Sequence, residues 1–256
     1  MILGKIFSIC NQKGGVGKTT TSVNLSAALA LSGKTILLID MDPQGNATMG
    51  SGIDKYDLDY SLADILLGNN ENIREVICEA KEGYDIIPSN QALTFAEVKL
   101  LEFEDRELTL KTAIENIKKE YDFIIIDCPP SLNILTVNAL AVSDSVIIPT
   151  QCEYYALEGL AALLETIDKI KISVNEGLEI GGILRTMYDP RNNLAQDVSF
   201  ELEKHFGKDV LKTIIPRNVS LAEAPSHGSS IISYDRGSKG SMSYLALAGE
   251  IVKISK

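Results

Sequence analysis

The chain has 256 residues, of which 45% are hydrophobic and 23% charged, and its formal net charge is −11. This composition is that of a globular protein, and it excludes a chain that is mostly disordered or collagen-like. The acidic balance also argues against wholesale coating of nucleic acid. The charge is uneven, however, because residues 1–184 hold 14 basic and 27 acidic side chains whereas residues 185–256 hold 10 and 8. Any contact with a polyanion is therefore expected in residues 185–256, the last quarter of the chain. The alternative is that the small excess of basic over acidic residues there has no functional meaning.

The chain contains no run of 18 apolar residues, so no membrane-spanning helix is predicted. Its N-terminal segment lacks the basic start and the small-residue cleavage site of a signal peptide, and we expect a cytoplasmic protein. The four cysteines, Cys10, Cys78, Cys128 and Cys152, form no C-x-x-C pair. They are interpreted as reduced thiols, with Cys10 and Cys128 in the core, rather than as a zinc site or a disulfide framework.

Apolar, β-branched runs alternate with helical patterns along the chain. Strands are predicted at residues 6–10, 35–39, 84–87, 123–126, 145–149, 180–186 and 213–215. Helices are predicted at residues 19–31, 108–121, 133–142, 156–173 and 195–206. Most of the strand runs are continuous rather than alternating, which is typical of strands buried on both faces of a parallel sheet.

This alternation predicts an α/β fold with one doubly wound, mostly parallel sheet flanked by helices. Because no linker divides the chain, residues 1–256 are predicted to form a single domain. Residues 50–83 and 94–107 are polar, acidic and weakly patterned, and are predicted to be short helices and loops at the edge of the sheet.

A glycine-rich loop follows the first predicted strand and opens the first predicted helix. It reads Asn11-Gln12-Lys13-Gly14-Gly15-Val16-Gly17-Lys18-Thr19-Thr20. Glycines at these places let backbone N–H groups turn toward phosphate oxygens, and the start of the helix adds free N–H groups. Lys18 is then expected to reach the β- and γ-phosphates and Thr19 to place its hydroxyl on Mg²⁺. The usual pattern G-x-x-x-x-G-K-[ST] fails at its first position, Gln12, and an additional lysine, Lys13, precedes the glycines.

This loop resembles the deviant Walker A loop of the ParA/MinD ATPase family. The resemblance implies a P-loop ATPase that binds ATP with Mg²⁺ through Gly14, Gly15, Val16, Gly17, Lys18, Thr19 and Thr20. It also implies that Lys13 crosses a nucleotide-sandwiched homodimer and touches the phosphates of the partner's ATP. A cation supplied in this way neutralises the charge that develops during phosphoryl transfer.

Three carboxylates follow predicted strands. Asp40 and Asp42 come at the end of the second strand and Asp127 at the end of the apolar run Phe123-Ile124-Ile125-Ile126. Acids at the carboxyl ends of parallel strands point into the ligand crevice. The family resemblance implies that Asp42 orients the attacking water, and that Asp40 and Asp127 support Mg²⁺ through water.

Catalysis is therefore assigned to Lys13, Lys18 and Asp42. Positioning and charge neutralisation are nearly all that phosphoryl transfer needs. Because no general base of tuned pKa is evident, basal ATP hydrolysis is expected to be slow until a partner rearranges the site.

The segment Ile214-Ile215-Pro216-Arg217-Asn218-Val219 resembles the family's adenine site, and the resemblance implies that Pro216 and Asn218 bind the adenine. The amide of Asn218 offers a donor and an acceptor to the base edge. His227 precedes Gly228 in a predicted turn and is interpreted as structural.

Two segments, Gln151 to Gly159 and Ile215 to Gly228, resemble the chromosomal ParA (Soj) branch of the family. That branch implies an ATP-dependent dimer that binds double-stranded DNA without sequence preference. It also implies stimulation by a ParB-type centromere-binding partner, segregation of chromosome origins or plasmids, and a nucleoid-associated location.

Non-specific DNA binding requires several cations on one face. The candidates are Arg191, Arg217, Arg236 and Lys239, of which Arg191 best matches a DNA-contact position of the family. Ser220 departs from related sequences, which often carry a basic residue there. Each basic residue could equally be a solvated surface group.

Three alternatives stay open. The first is a MinD-like, membrane-associated spatial regulator, which requires a basic amphipathic C-terminal helix. The end of this chain has a glycine, an acid and few lysines. No stable membrane association is therefore expected. An iron–sulfur electron carrier requires a cluster cysteine further along the chain than Cys128. A scaffold that does not hydrolyse ATP is disfavoured by the complete set of Lys18, Thr19, Asp42 and Asp127.

Overall fold

A computed structural model describes residues 4–70 and 72–255. The first three residues of the N-terminal segment, Glu71 and Lys256 lie outside the described residues. The strands are β1 (Lys5–Ile9), β2 (Ile36–Asp40), β3 (Cys78–Glu79), β4 (Asp85–Ile87), β5 (Phe123–Asp127), β6 (Ser145–Gln151), β7 (Glu179–Tyr188) and β8 (Val210–Pro216). They form one sheet in the order β3-β4-β2-β5-β1-β6-β7-β8, parallel except for β3. The predicted fold class is confirmed.

Twelve α-helices are found in the described residues and cover both faces of the sheet. They are α1 (Lys18–Leu31), α2 (Asn46–Gly50), α3 (Leu62–Leu66), α4 (Ile73–Val76), α5 (Ala92–Leu100), α6 (Thr109–Ile114), α7 (Ile134–Val142), α8 (Ala156–Ser173), α9 (Asn193–Phe206), α10 (Val219–Glu223), α11 (Ile231–Tyr234) and α12 (Lys239–Ile254). Helices α1, α2, α10, α11 and α12 pack on one face, and α3 to α9 pack on the other.

Strand register brings the carboxylates together. All five residues of β2 and all five of β5 are buried, as expected for central strands covered on both faces. Asp40 lies opposite Asp127 in the β2–β5 pairing, and Ile9 lies opposite Asp127 in the β1–β5 pairing. The loop after β1 and both aspartates therefore share the carboxyl edge of the sheet.

The core cysteines also meet at this edge. Cys10 and Cys128 are buried, and the thiol of Cys10 donates to Cys128 Sγ at 2.7 Å. Desolvation raises the pKa of the Cys128 thiol. The burial of these two residues confirms their interpretation as core thiols. They contact each other because of the register between β1 and β5.

One predicted helix differs from the structure. The helix predicted over residues 108–121 is interrupted, because α6 ends at Ile114 and a 3₁₀ turn follows at Lys118–Glu120. The break lets Tyr121 reach the sheet, where its carbonyl accepts from Gly4 N at 2.7 Å. Periodicity alone does not reveal such a tertiary requirement.

Helix α12 was not predicted as an element. It is 16 residues long and packs on α1 and β8. On its inner side Tyr244, Leu247 and Ile251 are buried in the core. No helix in the described part of the chain combines the length and apolar character needed to cross a membrane. The prediction that residues 1–256 form one domain stays a prediction.

Candidate nucleotide-binding site

The loop between β1 and α1 has the backbone of an anion cradle. Gly15 and Gly17 have positive φ angles of 73° and 90°, which L residues with a side chain rarely adopt. Gly17 is the N-cap of α1 and offers no side-chain cap, so the first N–H groups of the helix are left for a ligand. A Cβ atom built on Gly14 or Gly15 meets no atom within 4 Å. Both glycines line a cavity beside this loop.

Lys18 lies inside this loop. Its Nζ donates to the carbonyl of Lys13 at 3.2 Å, and burial lowers its pKa. The loop is anchored from outside, because Thr186 Oγ1 donates to the carbonyl of Val16 at 2.8 Å. The ammonium group of Lys18 is thus held at the cavity where phosphates are expected.

Asp127 is fully buried at the end of β5 and accepts two hydroxyl hydrogen bonds. Thr19 Oγ1 donates to Oδ2 and Ser22 Oγ donates to Oδ1, both at 2.8 Å. Desolvation, together with the charge of Asp40, raises the pKa of Asp127 to about 8. A buried carboxylate facing a second carboxylate is stabilised by a cation, and hard oxygen ligands of this kind suit Mg²⁺.

Asp40 organises the loop after β2. Its Oδ1 accepts from Asp42 N at 3.1 Å, and its Oδ2 accepts from Thr48 N at 2.8 Å and from Thr48 Oγ1 at 2.7 Å. Burial raises the pKa of Asp40 to about 6. Ser89 completes the network, since its hydroxyl donates to the carbonyl of Asp42 at 2.8 Å.

The side chain of Asp42 borders the phosphate cavity. This cavity is lined by the glycine loop and by Lys18, Thr19, Asp42, Gln44 and Pro130. Asp42 Oδ1 accepts from Gln44 N at 2.9 Å, which fixes the carboxylate relative to its own loop.

Lys13 points away from the cavity of its own chain. Its Nζ lies 2.5 Å from Glu153 Oε2, and about half of each side chain is exposed. An ion pair at this exposure contributes little to stability. The lysine is therefore at the surface beside the phosphate loop and is not part of the intramolecular cradle.

A second cavity of about 180 Å³ adjoins the phosphate cavity and is lined in part by Pro216, Asn218 and Tyr244. Gly17, Thr20 and Met187 line both cavities, so the two are continuous. Asn218 Oδ1 accepts from Leu221 N at 3.1 Å and caps α10, which leaves the amide NH₂ for a ligand. An apolar lining with one free amide group suits a nucleobase next to its phosphates.

Met187 is strained at the junction of the two cavities. Its φ angle of 49° is the only positive one of a non-glycine residue in residues 4–70 and 72–255. Backbone strain of this kind concentrates at ligand sites.

Two of the candidate DNA-binding residues, Arg191 and Arg217, follow strands β7 and β8. Arg191 is 88% exposed and pairs with Asp189, with Nη2 2.8 Å from Oδ2. The backbone N–H of Arg217 donates to Tyr188 O at 3.1 Å, which joins the chain after β8 to the end of β7. Arg236 and Lys239 are exposed between α11 and the start of α12.

Ser220 and His227 contact neighbouring side chains. Ser220 Oγ donates to Asp235 Oδ2 at 3.1 Å, which links α10 to the end of α11. The ring of His227 stacks on that of Tyr234 with centroids 5.0 Å apart. Both contacts fit structural roles.

Sequence reasoning missed the residues that support the site, namely Ser22, Thr48, Ser89, Thr186 and Met187. Ser22 lies three residues after Thr19, so both hydroxyls share a face of α1, a spacing that could have revealed it. The other four come from distant segments, and no local pattern marks them.

Comparisons with known proteins identify the family of this chain. A family described as "AAA domain" matches residues 4–180. The sporulation initiation inhibitor protein Soj of Bacillus subtilis is 54% identical over 249 residues, which covers 97% of this chain and 98% of that protein. The chromosome partitioning protein ParA of Myxococcus xanthus is 50% identical over 252 residues, covering 98% and 89%. The chain belongs to the ParA/Soj family of partitioning ATPases.

Solved structures of relatives share this fold. Cobyrinic acid a,c-diamide synthase from Mycobacterium smegmatis with bound ADP and magnesium is 35% identical, with a TM-score of 0.85 and coverage of 97% of this chain and 94% of that one. The cell division ATPase MinD of Pyrococcus furiosus is 27% identical, with a TM-score of 0.81 and coverage of 98% and 100%. The predicted membership of the ParA/MinD family is thereby confirmed.

Proposed function

We propose that this chain is an ATP-driven partitioning switch. It binds ATP with Mg²⁺ in the two continuous cavities, closes into a sandwich dimer, and binds DNA in that form. Hydrolysis, stimulated by a ParB-type partner, opens the dimer and so moves chromosome origins or plasmids. The observation that carries this proposal is the pair of lysines, because Lys18 lies inside the cradle while Lys13 lies outside it at the surface.

The described residues fit a magnesium-bound triphosphate. Free N–H groups at the start of α1 and the ammonium group of Lys18 would hold the β- and γ-phosphates. The hydroxyl of Thr19, supported by Asp127, and more remotely Asp40, would hold the metal and its waters. Bound Mg²⁺ would supply neutralisation of phosphate charge.

Asp42 is proposed to orient the attacking water. It borders the phosphate cavity and is held by Gln44 N and, through its backbone, by Ser89. Positioning without a strong base gives slow basal turnover. In the closed dimer, Lys13 would leave Glu153 and neutralise charge on the partner's phosphates.

DNA binding is proposed for Arg191, Arg217, Arg236 and Lys239 on the ATP-bound dimer. Dimerisation doubles the number of cations and adds avidity, so ATP controls DNA binding by controlling assembly. A nucleoid-associated, cytoplasmic location follows from this proposal.

Size-exclusion chromatography with ATP tests the sandwich. We expect Asp42→Ala to bind ATP and accumulate dimer, because hydrolysis no longer opens it. Lys13→Ala should bind ATP as a monomer and lose the dimer, whereas Lys119→Ala, which removes an exposed lysine before β5, should behave as wild type. A normal ATP dimer in the Lys13 variant contradicts the role in trans.

The likeness to MinD supports an alternative, a membrane-associated spatial regulator. The apolar side of α12 is buried against α1 and β8, so it is not exposed for insertion into a membrane. Sedimentation with anionic liposomes and ATP separates the two functions, since we expect the protein to remain in the supernatant.

A further inference from the structure

A closed ring of hydrogen bonds fixes the loop after β2. Asp40 Oδ1 accepts from the backbone N–H of Asp42 at 3.1 Å, and the carbonyl of Asp42 accepts from the hydroxyl of Ser89 at 2.8 Å. The backbone N–H of Ser89 donates to Thr48 Oγ1 at 2.9 Å, and Thr48 Oγ1 donates to Asp40 Oδ2 at 2.7 Å. The ring therefore holds Asp42 by both its N–H and its carbonyl group.

Thr48 joins the two halves of this ring. A backbone N–H can only donate, so the hydroxyl of Thr48 accepts from Ser89 and gives its single hydrogen to Asp40. The backbone N–H of Thr48 donates to the same carboxylate oxygen at 2.8 Å. The hydroxyl hydrogen of Thr48 is therefore not available to a bound nucleotide.

All four residues of the ring are buried. Asp40, Thr48 and Ser89 have no measurable exposure, and Asp42 is 8% exposed. Hydrogen bonds are strengthened where water is excluded, and a buried polar group that loses its partner there costs free energy. Removal of one member is therefore expected to displace the other members of the ring.

The loop packs closely on Ser89. Gly45 has a φ angle of 62°, and its backbone N–H donates to the carbonyl of Asp42 at 2.9 Å. A Cβ atom on Gly45 would lie 2.6 Å from the carbonyl oxygen of Ser89. The segment between Asp42 and Thr48 therefore has little freedom to adjust when the ring changes.

The same loop borders the phosphate cavity. Asp42, Gln44 and Asn46 line that cavity, whereas the hydroxyl of Thr48 is engaged within the ring. Thr48 is therefore expected to act on the bound nucleotide through the placement of Asp42. A misplacement of about 1 Å near a reacting group can cost about a hundredfold in rate.

We propose that Thr48 is a positioning residue for ATP hydrolysis, which joins Asp40 to Ser89 and thereby holds Asp42 in place. This inference rests on the proposed function, in which Asp42 orients the attacking water, and it adds the residue on which the position of Asp42 depends. Binding of ATP is assigned to the glycine loop and Lys18, so binding does not depend on Thr48.

The first test separates binding from catalysis with Thr48→Val, which replaces the hydroxyl by a methyl group. We expect kcat for ATP hydrolysis to fall about tenfold or more, while the KM for ATP stays within about twofold of wild type. The Mg²⁺ concentration for half-maximal binding of a fluorescent ATP analogue should also be unchanged. Thr48→Ser keeps the hydroxyl and should keep the wild-type kcat.

Thr150→Val is the matched control. Thr150 is a buried threonine of β6 whose hydroxyl donates to the carbonyl of Ile148 at 3.2 Å, outside the ring. This variant should hydrolyse ATP as wild type does. If Thr48→Val folds poorly, Ser89→Ala replaces it, because it removes the hydroxyl that holds the Asp42 carbonyl and keeps the backbone N–H. Ser89→Ala should lower kcat and leave KM unchanged.

Three results would overturn the proposal. The first is a wild-type kcat in folded Thr48→Val or in Ser89→Ala. The second is an equal loss of kcat in Thr48→Val and Thr48→Ser, which would attribute the effect to packing and not to the hydroxyl. The third is a raised KM or Mg²⁺ requirement at unchanged kcat, which would assign Thr48 to binding of the metal.

Amide hydrogen exchange measures the loop directly, without ATP. Residues 42–48 and Ser89 should exchange about tenfold faster in Thr48→Val and at the wild-type rate in Thr48→Ser. If wild type and Thr48→Val hydrolyse ATP with the same kcat, the inference fails and the proposed function stands. If wild type hydrolyses no ATP even with DNA and the ParB-type partner, the proposed function fails, and exchange still decides whether Thr48 holds the loop.

Discussion

At the scale of one residue, Asp127 is a carboxylate whose ionisation is costly without a cation beside it. The carboxylate is fully buried, faces Asp40 across the β2–β5 pairing and accepts from Thr19 and Ser22. Without a cation, burial and the charge of Asp40 raise its pKa to about 8. The site is therefore less stable when empty and ionised than when it holds a cation or a proton.

This raised pKa predicts a pH dependence of stability. Asp127 keeps its proton in the folded state up to about pH 8, whereas in the unfolded chain it loses that proton near pH 4. The folded state's preference for the proton therefore favours folding at low pH, and this contribution to the free energy of unfolding is lost as the pH rises from about 4 to about 8. We expect the protein in EDTA to melt at a lower temperature at pH 8 than at pH 6. Asp127→Asn should remove much of this difference and should also weaken magnesium-dependent ATP binding. An unchanged pH dependence in the variant, measured by calorimetry, would contradict the assignment.

At the scale of elements, the pairing of β6 with β7 depends on a glycine pair. The register shifts between Val146 and Ile147, which leaves Gly181 as an extra residue in β7. Gly182 has a φ angle of 155°, and a Cβ atom there would lie 2.5 Å from Leu211 Cδ2 and Cγ. The bulge lets β7 carry both Thr186 and Met187 to the phosphate loop.

Gly182→Ala is expected to destabilise the protein by about 1–3 kcal/mol, because the buried side chain of Leu211 has no room to move. Gly249→Ala is the matched control. Gly249 lies within α12 and a Cβ atom there meets nothing within 4 Å, so this change should stabilise the protein by about 0.5–1 kcal/mol. Urea denaturation measures both values, and an equal effect of the two substitutions would argue against the close packing of β7 on β8.

At the scale of the whole molecule, charge is divided between two regions. The acidic excess lies in residues 1–184, whereas the exposed cations proposed to bind DNA lie in residues 185–256. Such a division directs a polyanion to the second region.

The salt dependence of DNA binding tests the cationic region. Arg191→Ala should lower the slope of log affinity against log salt by about two per ATP-bound dimer, because each subunit loses one phosphate contact. Lys119→Ala should leave the slope unchanged, and the wild-type protein with ADP should bind weakly at every salt concentration. The same slope in the Arg191 variant and in wild type would remove Arg191 from the DNA contacts.

The sequence by itself determined the fold class, the phosphate loop and the position of the three carboxylates. These features are local: apolar runs specify buried strands, Gly15 and Gly17 permit the backbone of the loop, and an acid directly after a parallel strand must lie at its carboxyl edge. Only the tertiary structure decided that Ser22 and Thr48 hold the carboxylates of Asp127 and Asp40, and that Ser89 holds the backbone carbonyl of Asp42. It also decided that α12 belongs to the core. These contacts join segments that are distant in sequence. Local sequence preferences do not predict which distant segments the packed sheet brings together.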